Sequence, residues 1–449
     1  MAKIFGTDGI RGEANRYPMD GATAFSVGQA LACVLKNRNP QPKVILGRDT
    51  RLSGPMLESA LAAGIMSMGA TLLLVGVLPT PGIAFMTKST HADAGIVISA
   101  SHNPYQDNGI KIFSGDGFKL SDSEEDVIEG LILDNDLKNK CPSGNHLGRS
   151  SALADAERRY IDFLKSTFPH KLSMGGMNIV LDAANGATYR IAPNVFNEMG
   201  ARVHVLHNHP DGVNINEHCG SQNTQDLEKE VAAKGAALGL AFDGDGDRLV
   251  AVDEKGQRLT GDQILVVCAK VMKDLGSLKK NLLVTTVMSN LGLRMACNKY
   301  GFDHHASRVG DRYVLDAMQR LGAVLGGEDS GHMIFLDHHT TGDGILAAVQ
   351  LIAAVLRTNK PLSELARWMS VYPQKLINVE VKSKPEISTV PEIVEAISQA
   401  ERALGDQGRV LVRYSGTESL CRVMVEGPTE EMTREHCSNI AETVMRILG

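Results

Sequence analysis

The chain has 449 residues, 43% hydrophobic and 22% charged, which suits folded domains with sizeable cores and excludes a disordered polymer. At about 150 residues per domain the length alone suggests roughly three. A formal net charge of −6 gives no basic field for nucleic acid, so any phosphate must be held by local groups.

Seven scattered cysteines, odd in number and without a C-x-x-C pair, argue against a disulfide framework or a zinc ribbon and fit a reducing compartment. The opening Met-Ala-Lys-Ile-Phe-Gly lacks a signal-peptide pattern, and no apolar run reaches the ~20 residues of a membrane helix. A cytoplasmic protein with no nucleic-acid or membrane partner is expected.

Arg11 sits in a glycine-bracketed loop, after which apolar spacing predicts a helix over 20–36. A strand over 43–47, a polar loop over 48–54, a helix over 55–68 and a strand over 71–75 follow. This alternation, typical of a mostly parallel sheet, continues to the apolar run Ile96-Val-Ile98, which breaks into Ser99-Ala-Ser-His-Asn-Pro104. The acidic residues 122–126 and the polar run 134–149 read as surface segments, and a helix near 152–167 leads onward. The pattern restarts at 178 and again near 261. After about 369 half-exposed strands (377–381, 409–413, 420–426) and helices (390–404, 430–448) form a smaller α+β unit. The resulting division is 1–155, 156–255, 256–368 and 369–449.

The densest chemical signal is Asp243-Gly-Asp-Gly-Asp-Arg248, directly after a predicted strand. Carboxylates at Asp243, Asp245 and Asp247, spaced by glycines, can turn onto one hard divalent cation. A solvated acidic turn is one competing reading. A calcium loop ending at Glu254 is another; it lacks the glycine required where Arg248 stands, and 249–252 reads as a strand. An open site with three carboxylates favours Mg²⁺ joined by a phosphate oxygen. A phosphorylated Ser101 would supply that oxygen at the end of a rigid strand, and Arg11, Lys111 and Arg248 would balance its charge. A Ser101–His102 hydrolase pair is disfavoured, because neighbours on an extended chain point apart. A metal-dependent phosphatase with Asp243 as nucleophile stays open. Glu328 and Ser330, in a Gly-rich loop, suit sugar hydroxyls. Arg413, Ser415, Gly416, Thr417 and Arg422 suit a phosphate dianion. The pairs His304/His305 and His338/His339 read as surface residues.

These motifs together resemble the α-D-phosphohexomutase superfamily. The resemblance rests on Gly6–Gly12, Ser99–Pro104, Asp243–Arg248, Gly327–His332 and Ser415–Glu418, in that order along nearly the whole chain. Residues 182–188, 309–314 and 340–344 look like its aminosugar branch. In the sugar loop Asp329 stands where the family carries glutamine, and Ser419 replaces a proline. The resemblance implies three similar α/β domains with mixed sheets and a C-terminal α+β domain around a central cleft. It implies exchange between glucosamine 6-phosphate and glucosamine 1-phosphate through glucosamine 1,6-bisphosphate, in cell-wall precursor synthesis, or the same chemistry on glucose or mannose phosphates. Ser101, His102, Lys111, Arg11 and Arg248 would be catalytic. Mg²⁺ would rest on Ser101, Asp243, Asp245 and Asp247; Glu328 and Ser330 would hold the sugar, and Arg413, Ser415, Gly416, Thr417 and Arg422 the idle phosphate. A phosphosugar is the expected partner and a homodimer the expected assembly.

Overall fold

The computed structural model describes residues 4–6, 8–133, 137–415 and 419–449. Its contacts divide the chain into two compact units, residues 1–287 with 305–366, and residues 288–304 with 367–449.

In the larger unit the first sheet runs, in spatial order, Ile10–Glu13, Asp107–Ser114, Ala94–Ile98, Lys43–Arg48, Thr71–Val77, Ser150–Ala152. Its middle is parallel: Lys43–Arg48 pairs that way with Thr71–Val77 and with Ala94–Ile98. Asp107–Ser114 runs antiparallel to both its neighbours, so the sheet is mixed. Ala94–Ile98 is covered on both sides, and all five of its residues are buried. Ile96 and Ile98 share a core with Val44, Leu46, Ile110 and Ile112, and burying each such side chain contributes about 1.5–3 kcal/mol. The helix Gly21–Lys36 starts where predicted because the Asp20 carboxylate accepts from Thr23 N at 2.8 Å.

The second sheet repeats this design, with Leu238–Phe242 between the parallel Asn178–Asp182 and the antiparallel Leu249–Asp253. Leu238–Phe242 is again buried throughout, and it ends directly at Asp243. Two rigid central strands therefore deliver Ser101 and the aspartate turn from their carboxyl ends, where α/β folds collect ligands. A third sheet pairs Leu282–Thr286 parallel with Leu325–Gly327, which runs into the Gly-rich loop 327–332. The calcium reading fails here: Leu249–Asp253 is a strand, and Glu254 accepts from Ser363.

Two other expectations are amended. Residues 122–126 begin the helix Asp122–Leu133 and are exposed or half-buried as expected except for Glu125, which is buried, as is Glu129 further along the helix. Glu129 accepts the amides of Ile4 and Phe5, at 3.1 and 3.2 Å, and so ties down the amino terminus. His339 is buried too, its Nε2 lying 2.9 Å from the Pro81 carbonyl and its ring edge-on to Phe163.

Tyr160 and Asp343 form a buried polar pair at 2.7 Å. Burial pushes the Asp343 carboxyl up to about 6, and the hydrogen bonds from Leu346 N and Tyr160 pull against it. A carboxyl raised in this way stabilises fully below its unfolded value and loses that contribution as pH rises through about 6. Tyr160→Phe, which strands one oxygen, is expected to cost about 1–3 kcal/mol. The loss should be greater well above pH 6, where the carboxylate is charged, than well below it; urea unfolding on either side of that pH checks the sign.

The smaller unit has an antiparallel sheet, Gln374–Glu380, Leu420–Glu426, Arg409–Tyr414, packed on Pro391–Leu404 and Glu430–Leu448 through Ile393, Val423, Val425, Ile440 and Val444. Glu426, fully buried, accepts from Arg409 Nε at 2.6 Å and from Leu291 N at 2.9 Å, so residues 288–304 are anchored in this unit. Among the described residues no helix is long and apolar enough to cross a membrane.

Candidate active site

Ser101 is buried and has a backbone φ of +54°, a left-handed conformation that costs a non-glycine residue roughly 1–2 kcal/mol. That turn aims its Oγ at the aspartate loop, where it donates to Asp243 Oδ2 at 2.7 Å. It also brings His102 Nδ1 to 3.4 Å from Oγ. The expectation that His102 points away assumed an extended chain, and Ser101 is not extended. Burial, then Arg248 and Arg11, pushes the His102 imidazole down to about 4, so it is neutral near pH 7.

The strained turn is held by a polar network built on Asp49 and Arg51, which lie in the run 48–54 expected as a polar loop. Ser99 Oγ accepts from Ser101 N (3.0 Å) and donates to Asp49 Oδ2 (2.6 Å). Arg51, completely buried, pairs through Nε with Asp49 at 2.8 Å. Its other nitrogens donate to the carbonyls of Ser101 (3.0 Å), Asn103 (2.9 Å), Asp107 (3.0 Å) and Pro104. Asn216 adds a bond to the Ser101 carbonyl at 2.9 Å. The charge-rich Arg48-Asp-Thr-Arg51 run was the available signal.

Asp243, Asp245 and Asp247 are buried, with one oxygen from each lying within 4.8 Å of the others. Glycine is required between them: a Cβ on Gly244 would lie 2.6 Å from the Ser101 carbonyl, and Gly246 has φ +73°. Burial, then Asp247 and Asp245, drives the Asp243 carboxyl well above the usual range. Burial acts on Asp245 in the same direction. Lys111 Nζ at 2.9 Å and Thr80 Oγ1 at 2.7 Å nevertheless hold it below its ordinary value. Asp245 Oδ1 and Asp247 Oδ1 are buried without a hydrogen-bond donor. Orphaned carboxylate oxygens converging on one point fit a hard divalent cation.

Lys111 is buried, and its ammonium lies 3.4 Å from Asp8 and 3.6 Å from Asp247. Burial opposes its charge, but Asp245, Asp8 and Asp247 raise its pKa. Asp8 also pairs with Arg11 and Lys119, and Lys119 with Asp311, so a chain of charges runs away from Lys111. Arg248 donates its amide to Asp243 Oδ1 at 3.1 Å, and its guanidinium is held charged by the three aspartates against the effect of burial. The Gly-rich loop 327–332 abuts this turn through Leu249 N to the Gly331 carbonyl at 3.0 Å. Glu328 is partly buried and accepts Gly310 N at 2.9 Å, while Ser330 is exposed. Asp329 accepts Asp262 N at 3.1 Å at the start of the helix Gly261–Asp274, which explains an acidic residue there.

In the smaller unit Arg413 and Arg422 are direct partners across an antiparallel pair. Like charges so placed are unfavourable, which an anion bound to both would relieve. Ser415 is buried next to them, and Lys384 donates to its carbonyl at 2.9 Å. Thr7, Gly416, Thr417 and Glu418 lie outside the described residues.

Four models of the phosphoglucomutase/phosphomannomutase family match in order: domain I over residues 2–139, domain II over 158–256, domain III over 260–372 and the C-terminal domain over 376–443. A phosphoglucosamine mutase of Syntrophobacter fumaroxidans is 66% identical over 449 residues, covering all of both chains. Among solved structures, a phosphoglucomutase/phosphomannomutase family protein from Burkholderia thailandensis superposes with a TM-score of 0.81 at 24% identity, covering 99% of this chain and 97% of its own. The Aspergillus fumigatus N-acetylphosphoglucosamine mutase, solved with GlcNAc-6P and magnesium, gives 0.70 at 17% identity, covering 98% and 95%. The chain belongs to the phosphoglucomutase/phosphomannomutase family, in the branch of the phosphoglucosamine mutases.

Proposed function

We propose that this protein is a cytoplasmic isomerase that interconverts glucosamine 6-phosphate and glucosamine 1-phosphate, in the synthesis of UDP-N-acetylglucosamine and cell-wall precursors. The observation that carries this reading is Ser101 Oγ, 2.7 Å from Asp243 inside a buried three-carboxylate cluster. A sugar hydroxyl attacks the phosphorus on phosphorylated Ser101, the P–Oγ bond breaks and a P–O bond to the sugar forms. Lys111 gives its proton to Oγ and takes the hydroxyl's proton in return. The 1,6-bisphosphate turns around, and its other phosphoryl group returns to Ser101 by the reverse exchange. Arg11 and Arg248 stabilise charge on the moving group, and His102, neutral beside Oγ, orients it. Glu328 and Ser330 bind the sugar. The opposed guanidiniums of Arg413 and Arg422, with Ser415, Gly416 and Thr417, grip the phosphate that is not reacting.

Asp243, Asp245, Asp247 and the phosphate on Ser101 would hold Mg²⁺, which when bound supplies positive charge to the phosphoryl oxygens. Chelation with EDTA should abolish turnover and Mg²⁺ restore it. In a panel of sugar phosphates, glucosamine 6-phosphate is expected to be turned over at least about tenfold faster than glucose or mannose phosphates, a gap of ~1.4 kcal/mol. Faster turnover of the neutral sugars would move the protein to the glucose and mannose mutases.

A further inference from the structure

A second cluster of ligating groups lies in the second sheet and shares no residue with the Asp243–Asp247 cluster. Asp182 ends the strand Asn178–Asp182, His207 follows the adjacent strand Arg202–Leu206, and Cys219 precedes the short turn Gly220–Gln222. Asp182 and Cys219 are fully buried, and one ligating atom from each of the three residues lies within 4.8 Å of the other two. His207 Nδ1 is 3.1 Å from Asp182 Oδ2. Through this contact Asp182 raises the pKa of the imidazole, and Nδ1 is buried with no other partner. On the far side of the ring, Nε2 faces Asp226 Oδ2 at 3.8 Å. Asp182 accepts one amide on each oxygen, Ala184 N and Gly220 N, both at 2.9 Å. Each oxygen keeps a lone pair.

We propose that Asp182, His207 and Cys219 bind a thiophilic divalent cation of the zinc class, at a site distinct from the Asp243–Asp247 cluster. Mixed oxygen, nitrogen and sulfur donors select such an ion over Mg²⁺, which prefers oxygen alone. Bonds of about 2.0–2.3 Å to a tetrahedral ion put its donors roughly 3.3–3.8 Å apart. The 3.1 Å nitrogen–oxygen separation is just short of that spacing, and the sulfur lies no more than 4.8 Å from a ligating atom of each of the other two residues. Asp226, which also pairs with Lys229 at 3.4 Å, leaves a carboxylate on the outer side of the imidazole. His207, 26% exposed, gives the ion a way in and leaves room for a water as fourth ligand. The site's role is structural: Asn216, three residues before Cys219, bonds the Ser101 and Asn103 carbonyls, so a bound ion braces the segment that holds the phosphoserine turn.

Cobalt(II) titration of the full-length enzyme tests this. A thiolate ligand gives cobalt an intense near-ultraviolet charge-transfer absorption, which the all-oxygen aspartate cluster cannot produce. The expected result is such a band, bleached by added Zn²⁺, absent in Cys219→Ser, and requiring about 10-fold or more cobalt in His207→Ala. No band at saturating cobalt, or a band that survives Cys219→Ser, overturns the site. Should circular dichroism show that Cys219→Ser does not fold, the partly exposed His207→Ala decides, and unchanged cobalt affinity there overturns it.

Discussion

Ser101→Ala is expected to lower mutase turnover by at least about 10⁴-fold, a loss of ~5.5 kcal/mol of transition-state stabilisation, while the protein stays folded. The Oγ is the atom that carries the phosphoryl group, and neither neighbour can replace it. Asp243 already accepts from Oγ and from Arg248 N, and His102 is an uncharged imidazole 3.4 Å away. Alanine pays the same positive-φ penalty as serine, so the backbone of the turn should persist on its Arg51 and Asn216 bonds. Intact-mass measurement after incubation with a sugar 1,6-bisphosphate separates the readings. Wild-type protein should gain the mass of one phosphoryl group and the variant none. Turnover within tenfold of wild type, with free phosphate released, would instead make Asp243 the nucleophile of a phosphatase.

The parts of this site that were legible in the sequence are those in which chemistry is compressed into a few consecutive residues. Three aspartates spaced by glycines announce a cation-binding turn because the backbone must fold tightly there. An apolar run ending in small polar residues announces a buried strand with a functional end. The regular elements follow the apolar periodicity closely, as in Lys43–Arg48 and Glu430–Leu448. What the sequence hides is long-range polar contact. Arg51 reaches the Ser101 carbonyl across 50 residues, Asn216 across 115, and Thr80 reaches Asp245 across 165. Each looks like an ordinary loop or cap residue in its own neighbourhood. The surface reading of His339 fails for the same reason, since a polar residue reads as surface until its distant partner is known. The positive φ of Ser101 could not be inferred either, because serine has no preference for it; packing and hydrogen bonds impose it.

Arg51 offers the sharpest separation of scaffold from chemistry, because it touches no reacting atom and yet holds the turn that carries one. Arg51→Met keeps most of the side-chain volume but removes a charge paired with a fully buried Asp49, and it leaves four carbonyls of the Ser101 turn without this donor. Breaking one side of a buried pair typically costs about 3–5 kcal/mol, more than the roughly 1–2 kcal/mol of strain stored at Ser101. The turn should therefore relax. A displacement of even ~1 Å can cost 10²-fold in rate, so kcat is expected to fall about a hundredfold with KM nearly unchanged, since the sugar and phosphate contacts are elsewhere. Burial already pushes the Asp49 carboxyl up against the pull of Arg51. Asp49→Asn in the Arg51→Met background should thus recover about 1–2 kcal/mol in urea unfolding, because it removes the stranded charge. It should not recover kcat, because the carbonyl bonds stay lost. Stability within ~0.5 kcal/mol of wild type together with full kcat in Arg51→Met would show that the turn is shaped without this residue.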